Sequence, residues 1–502
     1  LGDRRTWGLA LQLYSVRSQR SWGVGDLTDL ADLTTWAGTA HGAGFVLVNP
    51  LHAAEPAPPL EPSPYLPSTR RFVNPLYLRV EAIEEYAYLD DSARREVERL
   101  HASVASLNAA EAIDRDAAWT AKDAALRLVH QVQRSPGREI AYRAFLDDQG
   151  TGLLDFATWS VLCGAHGSDW HQWPAEMRDP HSDAVAAVRT DQADEVDYYC
   201  WLQWVLDEQL RAIHDTARDA GMPVGLMQDL AVGVHPDGAD SWGLADVLAQ
   251  QINVGAPPDA FNQQGQDWSQ PPWRPDRLAE TGYAAYRDLL RTVLRHAGGL
   301  RVDHIIGLFR LWWIPQDRPP TAGTYVRYDH EALVGILALE AVRSGAMLVG
   351  EDLGTVEPWV RDYLRDRGIL GTSVLWFEYD SEGRPLDPEH WRELCLATVT
   401  THDLPPTAGY LASDHVRLRD RLGLLTRSID EEMAVDAAER QAWLDVLRNR
   451  GLLDPGAGGA ATVEALHRLL MFAPARLVGV PLTDMVGDRR TQNQPGTLDE
   501  YP

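Results

Sequence analysis

Short apolar runs closed by turn residues recur eight times along this chain. Most are separated by stretches in which apolar residues return every three or four positions. The first pattern is that of buried strands, the second that of amphipathic helices. The strands are predicted at 9–14, 45–49, 224–229, 300–303, 347–351, 373–378, 397–401 and 477–482. Helices are predicted at 27–39, 198–220, 283–296, 330–344, 358–366 and 434–449. Strands alternating with helices make a parallel sheet. Eight of them predict an α/β fold of the closed (β/α)8 TIM-barrel type. An open doubly wound sheet is the alternative, but no Gly-rich phosphate loop follows the first strand.

The spacing of the strands is uneven. About 170 residues separate the second from the third, far more than a barrel crossover needs. Much of that stretch is helical in pattern, as at 91–104 and 115–132. The predicted division is therefore a first part of the barrel at 1–50, an inserted, mostly helical subdomain at 51–222 whose last helix returns to the barrel, and the remainder of the barrel at 223–502. A second insertion, between the third and fourth strands near 230–298, holds the run Gly255-Ala256-Pro257-Pro258-Asp259-Ala260-Phe261.

Three of the predicted strands end in a carboxylate: Asp303 after Gly299-Leu300-Arg301-Val302, Glu351 after Val349-Gly350, and Asp403 after Thr398-Val399-Thr400-Thr401-His402. Barrel enzymes place their chemistry at the carboxyl ends of the strands. Acids there with an Arg and two His, His304 and His402, point to glycosyl transfer, which needs a nucleophilic carboxylate and a second carboxyl that can hold a proton. Arg301 lies two residues before Asp303, so strand periodicity turns both to one side. Alone, that pair would read as a structural ion pair; the acids at two other strand ends change the reading to catalysis. Glu351-Asp352 also has the form of a helix N-cap pair, so Asp352 is expected to cap the following helix while Glu351 does chemistry.

A net charge of −27 argues against nucleic acid or an anionic membrane surface as partner. Nearly all the basic charge is Arg, with Lys122 the single lysine. Eighteen Trp outnumber eight Phe. Trp offers a flat apolar face and an N–H donor, which suits sugar rings and core packing alike, so Trp268 and Trp273 fit either role. Cys163, Cys200 and Cys395 are odd in number and far apart, which fits neither a disulfide framework nor a metal spacing. His41, His52 and His235 make no metal-ligand cluster either. With no apolar run long enough to cross a membrane and no leader at Leu1, a reducing cytoplasm is the expected compartment.

Taken in order, these segments resemble the 4-α-glucanotransferases (amylomaltases, disproportionating enzymes) of glycoside hydrolase family 77. The resemblance is carried by Gln12-Leu13-Tyr14-Ser15, Trp22-Gly23-Val24-Gly25-Asp26, Ser63-Pro64-Tyr65, Asn74-Pro75-Leu76-Tyr77, the run from Gly255 to Asp259, the three acid segments, Leu311-Trp312-Trp313-Ile314-Pro315 and Asn493-Gln494-Pro495-Gly496-Thr497. It implies Asp303 as nucleophile, Glu351 as general acid/base, and Asp403 with His402 holding sugar hydroxyls in the transition state. Arg301 would keep Asp303 ionised. Asp229, Tyr65, His304 and Trp268 fall on further substrate-contacting positions. The implied partners are maltodextrins and other α-1,4-glucans, with no cofactor and no catalytic metal, so chelation is expected to leave activity intact.

The chain departs from the family pattern at two places. Ile306 stands where an Arg is common, in Asp303-His304-Ile305-Ile306-Gly307-Leu308. Trp268-Ser269-Gln270-Pro271 replaces a Trp-Gly-Asn-Pro segment. Asp229, His304, His402 and Tyr65 also admit plain structural readings, as a turn residue, core histidines and a loop anchor. Two other functions remain open: an α-amylase-type hydrolase using the same acids with water as acceptor, and a non-catalytic glucan-binding protein.

Overall fold

The computed structural model describes residues 4–258, 264–354, 356–494, 497 and 501. Eight parallel strands form the centre: β1 (Thr6–Leu11), β2 (Phe45–Val48), β3 (Gly225–Leu230), β4 (Gly299–Val302), β5 (Met347–Gly350), β6 (Gly371–Val374), β7 (Cys395–Thr398) and β8 (Leu477–Pro481). They pair in the order β5-β4-β3-β2-β1-β8-β7-β6. A parallel bridge between Val349 and Leu370 joins the two ends and closes the barrel. All eight predicted strands are present. The predictions for β1, β6 and β7 begin two or three residues late and end three or four late. After β1 and β6 the apolar pattern runs on through tight 3-10 turns, Leu13–Ser15 and Leu375–Phe377, which period-2 reasoning cannot tell from strand.

The barrel interior is filled by buried apolar side chains, among them Phe45, Met227, Val349, Leu396 and Leu477. Helices on the outside begin and end where the sequence provides caps. The helix Leu27–His41 opens with a capping box made by Asp26 and Asp29 and stops at Gly42 with φ 66°, a left-handed turn that glycine adopts without strain. The helix His330–Ser344 ends the same way at Gly345.

Between β2 and β3 the chain runs through the helices Asp91–Val104, Arg115–His130, Pro136–Gln149, Thr151–His166 and Asp183–Asp191. It then forms the long helix Ala193–Asp219, which packs on Leu27–His41 and on β3. This region is held to the barrel by a buried ionic cluster. Arg79 reaches both members of the capping box, Asp26 at 2.5 Å and Asp29 at 3.1 Å. Beside it Lys122, fully buried, donates to the carbonyl of Leu76 at 2.5 Å. Burial lowers the Lys122 ammonium to about 8, opposed by the nearby Asp26.

The segment between β3 and β4 does not stand alone. Its strands Ile252–Ala256 and Gln266–Gln270 join Arg310–Pro315 and Thr324–Arg327, from beyond β4, in a four-stranded antiparallel sheet. The aromatic run Leu311-Trp312-Trp313 is thus a strand of a second sheet. Asp259, Ala260 and Phe261 of the predicted loop lie outside the described residues, as do Pro495 and Gly496 of the end segment. Among the described residues no helix is long and apolar enough to cross a membrane.

Candidate active site

The parallel register of β3 and β4 sets Asp229 directly beside Arg301. Both side chains are buried, and the Arg301 guanidinium grips both Asp229 carboxylate oxygens through Nη1 at 2.7 Å. Its Nη2 donates to Asp303 Oδ1 at 3.0 Å. One cation therefore bridges two carboxylates, and the fork geometry of arginine is what allows it.

Glu351 stands at the end of the neighbouring strand. The β4–β5 pairing continues past the strands themselves, with Glu351 N donating to Val302 O at 2.9 Å and Ile305 N to Glu351 O at 3.0 Å. This brings the Glu351 carboxylate against the backbone just after Asp303. Its Oε2 accepts from His304 N at 3.1 Å and its Oε1 from Leu353 N at 2.6 Å. His304 takes up φ 44° and ψ 55°, left-handed backbone that costs a side-chain-bearing residue energy. That conformation delivers its N–H to Glu351. The imidazole sits edge to face with Trp268 at 5.2 Å, and burial pushes its pKa down to about 4, so it is neutral.

Opposite, Tyr65 arrives from the segment between β2 and β3. Its hydroxyl donates to Asp229 Oδ2 at 2.8 Å and lies 3.3 Å from His402 Nδ1; its ring stacks on the His402 ring at 4.5 Å. Burial lowers the His402 pKa, with Asp403 opposing. His402 Nε2 is 3.2 Å from Asp403 Oδ2. The structure thus gathers the predicted residues in one place: Asp229, Arg301 and Asp303 in one bonded chain, Tyr65, His402 and Asp403 joined to it, Glu351 and His304 beside it, and Trp268 against His304. A pocket opens beside Tyr65, Asp229, Arg301 and His402, lined also by Gln12 and Thr400.

The electrostatics follow from crowding. Burial raises the Glu351 carboxyl to about 7, opposed by Arg301 and the Leu353 N–H and assisted by the charges of Asp352 and Asp403. Burial and the charges of Asp229, Glu351 and Asp403 likewise raise Asp303, against the pull of Arg301. One guanidinium cannot balance so many close carboxylates, so the cluster as a unit retains a proton to near neutrality.

Two residues of this site carried no role in the sequence reading. Asn493 Nδ2 donates to Asp403 Oδ1 at 2.6 Å while Asn493 N donates to His402 O at 3.2 Å, so the end segment anchors Asp403. Gln270 Nε2 donates to the Tyr65 carbonyl at 2.9 Å, tying the second sheet to the Tyr65 loop. Neither sits in a periodic apolar pattern; only membership of a recognisable segment marked them. Ile306 is buried in the 3-10 turn after His304.

One expectation is corrected. Asp352 does not cap the helix Pro358–Asp366, whose N-cap residue is Glu357, without a side-chain cap. Asp352 is 1% exposed; it accepts from Thr372 N at 2.9 Å and pairs with Arg392 at 2.5 Å. A strand end in a barrel points a side chain either into the site or into the next strand, and Asp352 takes the second course, locking β5 to β6.

A closed parallel barrel with arginine-bridged carboxylates at its strand ends defines an enzyme of glycosidic-bond chemistry. A family model described as 4-alpha-glucanotransferase matches residues 11–502. The chain is 62% identical to the 4-alpha-glucanotransferase of Mycobacterium tuberculosis, across all of this chain and 71% of that one. It is 33% identical to that of Haemophilus influenzae, again across all of this chain and 75% of the other. Among solved structures it superposes on amylomaltase from Corynebacterium glutamicum with TM-score 0.91 at 48% identity, covering 99% of this chain and 70% of that one. The amylomaltase from Streptococcus agalactiae in complex with acarbose shares the fold, with TM-score 0.79 at 16% identity over 99% of this chain and 94% of the other. The chain belongs to the 4-alpha-glucanotransferase family, glycoside hydrolase family 77, and is an enzyme of that activity.

Proposed function

We propose that this enzyme moves α-1,4-glucan segments between maltodextrins by a retaining double displacement with the roles divided as follows. Asp303 attacks the anomeric carbon of the donor while Glu351 protonates the departing glycosidic oxygen. The bond to the leaving glucan breaks and a bond to Asp303 forms. The acceptor's 4-hydroxyl then gives its proton to Glu351 as its oxygen displaces Asp303, so the α configuration is kept. Asp403, anchored by Asn493, holds ring hydroxyls. Neutral His304 and His402 serve as hydrogen-bond partners rather than charges. Tyr65, bonded to Asp229 and stacked on His402, helps to enclose the site, and enclosure favours a sugar acceptor over water.

The observation that carries this reading is the Glu351 carboxyl raised to about 7 in the same enclosure where Arg301 holds Asp303 at 3.0 Å. Both carboxyls are raised by burial and crowding, so the pair shares a proton near neutrality; Glu351 is the member suited to pass it to the leaving oxygen, and the Arg301 contact favours the charge on Asp303 as the proton moves away. We further read 51–222 as one inserted unit that carries Tyr65. The cytoplasm is the compartment we infer, on the strength of three free, buried cysteines. Incubation with maltotriose tests the activity: glucose and a ladder of longer maltodextrins are expected, with reducing ends nearly constant. A steady rise in reducing ends without longer products would make the enzyme a hydrolase.

A further inference from the structure

Away from the barrel acids, three ligand-type side chains from two separate segments converge. Asp169 and His171 belong to the turn around Trp170–Gln172, between β2 and β3; Asp237 belongs to the loop that follows β3. His171 Nδ1 lies 3.3 Å from Asp169 Oδ1 and 3.3 Å from Asp237 Oδ1. All three donor atoms fall within 4.8 Å of one another.

Those distances are long for a hydrogen bond between an imidazolium and a carboxylate, which closes to about 2.7–2.9 Å. The two separations from His171 match the edge of a tetrahedron around an ion bound at 2.0–2.1 Å, about 3.4 Å, and the two carboxylate oxygens lie within 4.8 Å of each other. His171 and Asp237 are also set in place by contacts outside the trio, and Asp169 by the backbone of its own turn. The His171 ring stacks on Trp170 at 3.9 Å, and Trp170 Nε1 donates to the Pro236 carbonyl at 3.2 Å. Asp169 Oδ1 accepts from His171 N at 3.1 Å. Asp237 N donates to His235 Nδ1 at 3.1 Å, which occupies that nitrogen and leaves His235 outside the trio. Ligands oriented by outer contacts are the mark of a prepared metal site.

We propose that Asp169, His171 and Asp237 bind one divalent transition-metal ion of the zinc class, with solvent completing the coordination. An imidazole nitrogen with two carboxylates favours such an ion over calcium or magnesium, which take all-oxygen sets. The ion would link the turn at Asp169 to the loop after β3. That loop in turn holds the Tyr65 segment through His235 N donating to Pro67 O at 2.7 Å. The site is structural, since none of its ligands is among the barrel acids.

Cobalt(II) titration of the intact, chelator-stripped enzyme tests the proposal. Expected are one ion per chain with the visible absorption of a nitrogen- and oxygen-ligated site, displacement by Zn²⁺ but not by Ca²⁺, and a Tm that rises to a plateau with metal. His171→Ala and Asp237→Asn should each weaken binding at least ~100-fold and lose the Tm rise, while transfer from maltotriose stays at the wild-type rate and certifies the fold. Absence of stoichiometric binding by the wild type, binding by both variants as tight as wild type, or displacement by Ca²⁺ would overturn it. Each readout is independent of catalytic roles, so this test and that of the proposed mechanism fail separately.

Discussion

At the scale of single residues the site turns on two carboxyl groups, which substitution tells apart. Asp303→Asn has no nucleophile and should form no glycosyl-enzyme with any donor. Glu351→Gln keeps the nucleophile, so a glycosyl fluoride, which needs little help to depart, should still glycosylate Asp303 and then stall for want of a base. Intact mass spectrometry should show the added glucosyl mass on Glu351→Gln alone; the reverse pattern would exchange the roles. The acidity of Glu351 adds a second check. Its carboxyl, raised to about 7, is protonated below that pH and loses the proton above it. Glycosylation needs the proton, so kcat/KM for maltotriose should fall as pH rises through about 7. With the fluoride donor that alkaline limb should vanish. The acids were legible because each ends an apolar run. Asp352 has the same signature and a different fate, since a side chain's direction past the last strand residue depends on φ and ψ that no pattern records.

At the scale of elements, the helices were read closely where caps are strong. Asp91–Val104 and His330–Ser344, capped by Asp90 and Asp329, carry their predicted bounds, and so does Pro358–Asp366, which opens on a proline instead of a side-chain cap. The four-stranded sheet was not read at all. Its strands are four to six residues long, and two of them come from either side of β4, so neither half alone looks like a sheet. Trp312 and Trp313 were seen only as part of a resemblance. The contact between the barrel and the region after β2 was equally invisible, because Arg79 lies 53 and 50 sequence positions from its partners Asp26 and Asp29. It is testable now. Arg79→Ala would leave two buried carboxylates and a helix cap without their cation, and a loss of roughly 3–5 kcal/mol is expected for breaking such a pair from one side. Denaturant unfolding would show it; a loss near zero would mean that the cluster is solvated in the working enzyme.

Over the whole molecule, alternation of strands and helices was enough to specify a barrel, because the βαβ unit has few alternatives. The burial of Lys122 has a consequence for handling the enzyme. The chain has no second lysine, so its folded surface offers no side-chain amine. Ester reagents that couple dyes or resins to lysine should find no side chain to attack while the cluster around Leu76 and Asp26 stays shut. Acylation of Lys122, followed by peptide mass mapping at rising denaturant, should begin only where the region after β2 lifts from the barrel. A single internal residue would then serve as the molecule's own reporter of opening, read without any added label. Rapid modification of Lys122 under native conditions would show instead that this contact breathes.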